Sequence, residues 1–259
     1  VLVCSTGLIG TQLDTSKLYP GIDAACQALS SDGGADSARA IMTTDSVPKL
    51  ATATSKAGWK IGGMAKGAGM LAPALATMLV VITTDAEVSD LDAHLRAATA
   101  VSFDRLDSDG CTSTNDTVIL MASGASGVRA EAEEFQNLLV DVCMDLARQL
   151  MKDAEGASHE IAIEVHGAKT EGDALEVGRA IARNNLFKTA IYGNDPNWGR
   201  ILAAIGTTGA TFDPYDIDVE INGIRVSTKG GPDQDRSKVD LSSREVLIRV
   251  GLNAGDATA

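Results

Sequence analysis

The residues of this chain that could do covalent chemistry are scattered, and each familiar constellation is incomplete. Ser123-Gly124-Ala125-Ser126-Gly127 lacks the Gly-x-Ser-x-Gly spacing that lifts a serine onto a sharp strand-to-helix turn. His94, His159 and His166 form no ligand-spaced pair with a cysteine or carboxylate, so no metal site is expected and each reads as a surface or satisfied histidine. Asp107-Ser108-Asp109-Gly110 resembles half a calcium loop, but the second Asp is misplaced for an EF-hand and no spaced Glu follows, leaving a plain acidic turn. Glycines in Gly62-Gly63-Met64-Ala65-Lys66-Gly67-Ala68-Gly69 would let backbone amides approach an anion. The P-loop spacing and the Ser or Thr after the lysine are missing, so taken alone this is a flexible connector. Thr77, taken alone, reads as a strand residue.

The elements that must position these residues are read from periodicity. Val1 to Cys4 reads as a strand already under way, followed by a turn at Ser5-Thr6-Gly7. The chain starts there without Met or leader, as a fragment or processed product would. Helical patterns cover Ile22–Leu29 and Ala35–Ile41, whereas Lys49 to Gly69 shows no clear period. Met78 to Ile82 is a buried-strand candidate, and Asp90 to Val101 is helical. The clearest helix is Ala130 to Met151, where Phe135, Leu138, Leu139, Val142, Leu146 and Leu150 share one face. Glu160 to Val165 alternates as a half-buried strand does, and Thr170 to Asn184 is helical. Asp216 to Val226 reads as a hairpin, with Asn222-Gly223 supplying the positive φ angles of a tight turn. Lys229 to Lys238 is a polar loop, and Glu245 to Leu252 a last strand. Intermixed helices and strands with an antiparallel pair predict an α+β sandwich rather than a doubly wound parallel sheet.

Length and composition bound the function. The 259 residues suit one large or two small domains, and 44% hydrophobic with 3% aromatic content demands a core of aliphatic residues. A net charge of −13, spread along the chain, repels phosphate backbones and anionic lipid, so neither nucleic acid nor membrane is an expected partner. The longest apolar stretch, Met70 to Ile82, is broken by Pro73 and Thr77 and is too short to span a bilayer. Cys4, Cys26, Cys111 and Cys143 contain no Cys-x-x-Cys and read as reduced, mostly buried thiols of a cytoplasmic protein.

Taken together, the segments say more than any one of them. Ser5-Thr6-Gly7-Leu8-Ile9-Gly10, Met42-Thr43-Thr44-Asp45, Lys66-Gly67-Ala68-Gly69-Met70 and Ala76-Thr77-Met78-Leu79 resemble the ornithine acetyltransferase (glutamate N-acetyltransferase) family of arginine biosynthesis. Ser113-Thr114-Asn115-Asp116-Thr117, Asp153-Ala154-Glu155-Gly156-Ala157 and Asp195-Pro196-Asn197-Trp198-Gly199-Arg200 resemble further segments of that family in the same order, so the likeness runs nearly end to end. It implies a layered α/β/β/α-type sandwich and a precursor that cuts itself between Ala76 and Thr77. Residues 1–76 would then be the C-terminal part of an α chain and residues 77–259 a β chain that opens on its nucleophile, associated as an α2β2 heterotetramer. Thr77 would carry the acetyl group, its freed α-amine accepting the hydroxyl proton. Thr6 and Gly7 match the oxyanion hole. Thr43, Lys66 and Glu155 match substrate contacts, with Lys66 on the substrate carboxylate and Glu155 on a cationic amine. The family also extends ahead of the opening strand and ends on substrate-contacting Asn and Ser or Thr residues beyond Ala259.

The implied reaction is ping-pong transfer of acetyl from N-acetylornithine to glutamate without metal or bound cofactor, with acetyl-CoA open as an alternative donor. The rivals are a self-cleaving aminopeptidase or amide hydrolase on the same scaffold, and an inactive amino-acid-binding fragment. A paralogue serving secondary metabolism is also open.

Overall fold

A helix with one wide apolar stripe needs a sheet to cover it, and the computed structural model, which describes residues 2–8, 10–72 and 78–259, provides that pairing in the first of two units. That unit, Val1–Glu155, contains helices α1 (Thr15–Gln27), α2 (Gly34–Ala40), α3 (Leu91–Val101) and α4 (Ala132–Lys152). Its strands are β1 (Lys49–Thr54), β2 (Lys60–Lys66), β3 (Leu79–Thr84) and β4 (Thr117–Ala122), in the order β1-β2-β3-β4. The first two pairings are antiparallel and β3/β4 is parallel, with α3 between the two strands in the chain. α4 starts where the Glu131 carboxylate accepts the amides of Glu133 and Glu134. It packs on β1 and β2, and its Phe135, Leu139, Val142, Leu146 and Leu150 share one core cluster with Ile61 of β2 and with Val80 and Ile82 of β3. Each such side chain removed from water contributes about 1.5–3 kcal/mol.

The second unit, Gly156–Ala259, holds β5 (Glu160–His166), α5 (Glu171–Ala182), α6 (Asn185–Tyr192), α7 (Trp198–Ile205), β6 (Asp218–Ile221), β7 (Ile224–Thr228), β8 (Gly231–Pro232) and β9 (Glu245–Gly251). Its sheet runs β5-β9-β6-β7-β8, with β5/β9 parallel and the other pairings antiparallel. Val165, Val177, Ile181, Val219, Ile248 and Val250 form its core. The β6–β7 turn has Asn222 at φ 47° and Gly223 at φ 82°, as the Asn-Gly pair requires. The fold is α+β with two mixed sheets among the described residues, as expected from the sequence.

The structure departs from the sequence reading in particular places. Residues 2–4 form no strand: Leu2 and Val3 are exposed, and β propensity without a strand to pair with gives no ladder. The aperiodic stretch after Lys49 is two strands. Their apolar side is written in Ala, Gly and Thr, which carry little signal but leave room for α4. A β-carbon at Gly63 would stand 2.9 Å from Leu146 Cδ1 and 3.2 Å from Val142 Cγ1, so the helix rests on a residue with no side chain. The polar loop after Lys229 includes the short strand β8. All four thiols are free, but Cys26 and Cys111 are exposed and Cys4 half-buried; only Cys143 lies in the core, where burial pushes its thiol pKa up to about 12.

The expected cut between Ala76 and Thr77 lies outside the described residues. It would separate β2 from β3 within one sheet, a division different from that between the two units. Among the described residues no helix is long and apolar enough to cross a membrane.

Gly63→Val should overpack the α4–sheet contact and cost about 1–3 kcal/mol. A denaturant midpoint equal to that of the wild type would show that α4 does not depend on this close approach.

Candidate active site

Strand register places the first candidate side chain. Lys66 ends β2 and stands opposite Leu79, the first residue of β3 and the second after Thr77. Lys66 is 1% exposed, so it is not a solvated surface charge. Its Nζ lies 3.5 Å from the Thr6 hydroxyl oxygen, which accepts from it. Burial lowers the Lys66 pKa from the usual lysine range; Asp45, Asp116 and Glu155 oppose that shift and Lys49 adds to it.

A buried ionic cluster lies behind this lysine. Asp45 Oδ1 accepts the Gly67 amide at 2.6 Å and the Lys49 ammonium at 2.7 Å, while Oδ2 accepts the Thr43 amide at 3.1 Å. Lys49 also donates to Asp153 Oδ2 at 2.7 Å, and Asp153 accepts the Ser46 amide at 2.9 Å and the Ser46 hydroxyl. Burial alone would raise both aspartates, but the donated hydrogen bonds and the Lys49 charge bring each below the ordinary aspartate pKa. Two residues after Asp153, the Glu155 amide donates to the Ala68 carbonyl at 2.7 Å. The Glu155 carboxylate lies beside Gly69, 3.7 Å from where a β-carbon there would stand. Buried Lys66 and exposed Glu155 thus present opposite charges on adjoining backbone.

The acidic turn and the segment after it hold the chain on both sides of residues 73–77. Asp109 Oδ2 accepts the Met70 amide at 2.8 Å, and Ser108 exchanges hydrogen bonds with Leu71. Beyond, Asp116 Oδ1 accepts the Met78 amide at 2.8 Å. Burial raises the Asp116 pKa, against the Met78 amide, the Ser113 hydroxyl and the Lys66 charge. The neighbouring Asn115 Nδ2 donates to the Ser5 carbonyl at 3.0 Å. One short turn therefore grips both the residue after Thr77 and the residue before Thr6.

Of the expected site residues, Thr6, Thr43, Lys66 and Glu155 are joined by these contacts, and Gly7 follows Thr6 at the surface. Ala76 and Thr77 lie outside the described residues. Asp195-Pro196-Asn197-Trp198-Gly199-Arg200 serves architecture in the second unit: Asn197 caps α7, and Arg200 donates to the Leu186 carbonyl at 2.7 Å. His94 pairs with Gln136 at 2.7 Å, and His159 lies between Ser158 and the Leu241 carbonyl. Asp45, Lys49, Asp153 and Asp116 were missed as functional candidates. A lysine whose two aspartate partners lie 4 and 104 positions away carries no local signal, although Asp45, Asp116 and Asp153 stand inside the family-like segments. A cavity of about 330 Å³ borders Met78 and Asp116, but none of Thr6, Thr43, Lys66 and Glu155 lines it, so the charged cluster is the better site.

Comparison with known proteins gives a consistent result. Residues 1–259 match the ArgJ family. Proteins named arginine biosynthesis bifunctional protein ArgJ are similar over the whole chain: that of Thermobifida fusca is 60% identical and that of Streptomyces coelicolor 59%, the match covering 68% of each relative. A crystal structure of the protein of that name from Bacillus halodurans superposes with a TM-score of 0.65 at 37% identity, over 70% of this chain and 90% of that one.

Because the folded pKa values of Asp45 and Asp153 lie below the ordinary value, their stabilisation is complete above about pH 4 and is lost as pH falls through the depressed values. Urea unfolding from neutral to acidic pH should show the wild type weakening in that range. Asp45→Asn, with no charge there to lose, should start less stable and fall less steeply. Parallel curves would mean that this cluster contributes nothing to acid sensitivity.

Proposed function

Because this chain belongs to the ArgJ family, we propose that its arginine-biosynthetic acetyltransferase activity runs through an acetyl ester on Thr77. The observation that carries this reading is the double grip of the 113–116 turn. Asp116 holds the Met78 amide and Asn115 holds the Ser5 carbonyl, so the neighbour of the nucleophile and the neighbour of the oxyanion donors are fixed to one piece of backbone. Preorganisation of that kind is what stabilisation of a tetrahedral intermediate requires.

In the first half-reaction the Thr77 oxygen attacks the acetyl carbonyl of N-acetylornithine. The Thr77 α-amine, freed by cleavage after Ala76, takes the hydroxyl proton and passes it to the departing ornithine nitrogen. That amine has a reference pKa of about 7.7–8.0, so a useful fraction is neutral near physiological pH. The oxyanion is met by the Gly7 amide and the Thr6 hydroxyl. Thr6 Oγ accepts from Lys66 and so keeps its own proton for the developing charge. In the second half-reaction the glutamate amine attacks the ester and regenerates Thr77. Lys66 serves the substrate α-carboxylate and Glu155 a substrate amine, with Thr43 beside them. The reaction needs no metal or bound cofactor, and acetyl-CoA is a further candidate donor. The working assembly is two α and two β chains in the cytoplasm.

Incubating the full-length precursor with N-acetylornithine alone should add one acetyl mass to the fragment beginning at Thr77, and glutamate should discharge it. Thr77→Ala should leave the chain uncut and inactive. Normal transfer by that variant would remove Thr77 from the mechanism, and discharge by water at the same rate with or without glutamate would make the enzyme a hydrolase. Lys66→Met and Glu155→Gln should each lower kcat/KM by roughly ten- to a hundredfold, the scale of one charge-assisted contact. Wild-type kinetics in both would remove them from the substrate site.

A further inference from the structure

Lys49 corresponds to none of the expected substrate contacts, yet it is fully buried and all of its hydrogen-bonding capacity is directed. Its ammonium donates to Asp45 Oδ1 at 2.7 Å, to Asp153 Oδ2 at 2.7 Å and to the Val47 carbonyl at 3.3 Å, matching its three protons with three acceptors. The two carboxylates lead to the substrate-binding segments. From Asp45 the contacts run to the Thr43 amide and to the Gly67 amide, next to Lys66. From Asp153 the chain runs two residues to Glu155, whose amide returns to the Ala68 carbonyl, next to Gly67. Lys49, Asp45, Gly67, Ala68, Glu155 and Asp153 therefore form a closed circuit of hydrogen bonds and short backbone links.

From this circuit we infer that Lys49 is a positioning residue that fixes the separation between Lys66 and Glu155, and so selects the length of zwitterionic substrate the site accepts. The inference rests on the substrate roles given above to Lys66 and Glu155. Stability by itself gives little reason for a buried lysine, since apolar residues of similar volume generally serve as well or better. An apolar core cluster, however, has no direction. The Lys49 ammonium specifies where two carboxylates stand, and through them where two loops stand, to within hydrogen-bond tolerance. Thr43, Lys66 and Glu155 touch substrate in this scheme; Lys49 acts only through them.

The test uses the full-length precursor and a pair of probes. Lys49→Met and Asp153→Asn are compared with the wild type on N-acetylornithine and glutamate, and on a neutral aryl acetate, which can acetylate Thr77 without using either charge. Relaxed spacing should raise KM for both zwitterions by about tenfold or more with a smaller change in kcat, because binding rather than chemistry is loosened. The aryl acetate rate should stay near that of the wild type. Discrimination between N-acetylornithine and the analogue longer by one methylene should also narrow. Unchanged KM and unchanged discrimination in a folded variant would overturn the inference. An equal loss on the aryl acetate and the zwitterions would do the same, because it would mean general collapse of the site. Should Lys49→Met not fold, Asp153→Asn decides, since it keeps the volume while removing the charge and one of the two acceptor oxygens from one arm of the circuit. A wild-type precursor that is not acetylated by N-acetylornithine would fail at the earlier step and take this inference with it.

Discussion

Lys66 faces Leu79 across the β2–β3 ladder, and that register governs the candidate site. In a β-sheet a slip of one residue turns every side chain to the opposite face. Such a slip would take Lys66 away from Asp45 and Thr6, and Ile61, Val80 and Ile82 away from the apolar face of α4. The packing that makes the core is therefore the packing that places the cation. Gly63 is a point of close contact: lacking a side chain, it lets Leu146 and Val142 close on the sheet.

Around that register the charged groups are arranged in depth. Lys49 and the side chain of Asp45 are out of solvent, Lys66 is nearly so, and Glu155 is exposed. Burying the inner pair is costly, and the cost is offset because nearly every polar atom there has a partner. The carboxyl groups divide by environment. Asp45 and Asp153 are held ionised by donated hydrogen bonds and Lys49, whereas Asp116 is shifted the other way by burial. Fixed charges on one side and a more easily protonated carboxyl on the other are what the proposed mechanism would use, with a zwitterion held while a proton moves on and off an amine.

The parts of the fold legible in the sequence were those in which one local pattern decides the structure. The α4 stripe has enough apolar residues at steps of three and four to be unmistakable, and the β6–β7 turn is set by two residues. The strands β1 and β2 were illegible because their identity depends on what packs over them: Ala, Gly and Thr become a strand when a helix needs a flat, small-residue floor. Residues 2–4 show the converse, apolar β-formers that make no ladder because no strand among the described residues pairs with them. At the site, the ordered likeness of short segments pointed to Thr6, Thr43, Lys66 and Glu155. Lys49 stayed invisible because its partners lie on both sides of it in the chain, one of them beyond α4. Asp116 was in view, but its contact with the Met78 amide is a matter of tertiary geometry.

The β2–β3 ladder would have one more consequence under the proposed cut after Ala76. Six register pairs, from Ile61↔Thr84 to Lys66↔Leu79, would then join two molecules instead of two parts of one. Forming that ladder in the uncut precursor is a unimolecular closure whose entropy cost depends on the short intervening segment. Re-forming it from separated chains is a second-order event that slows with dilution. Self-cleavage would thus convert a protein that folds at a rate independent of its concentration into one whose recovery from unfolding depends on finding its other half.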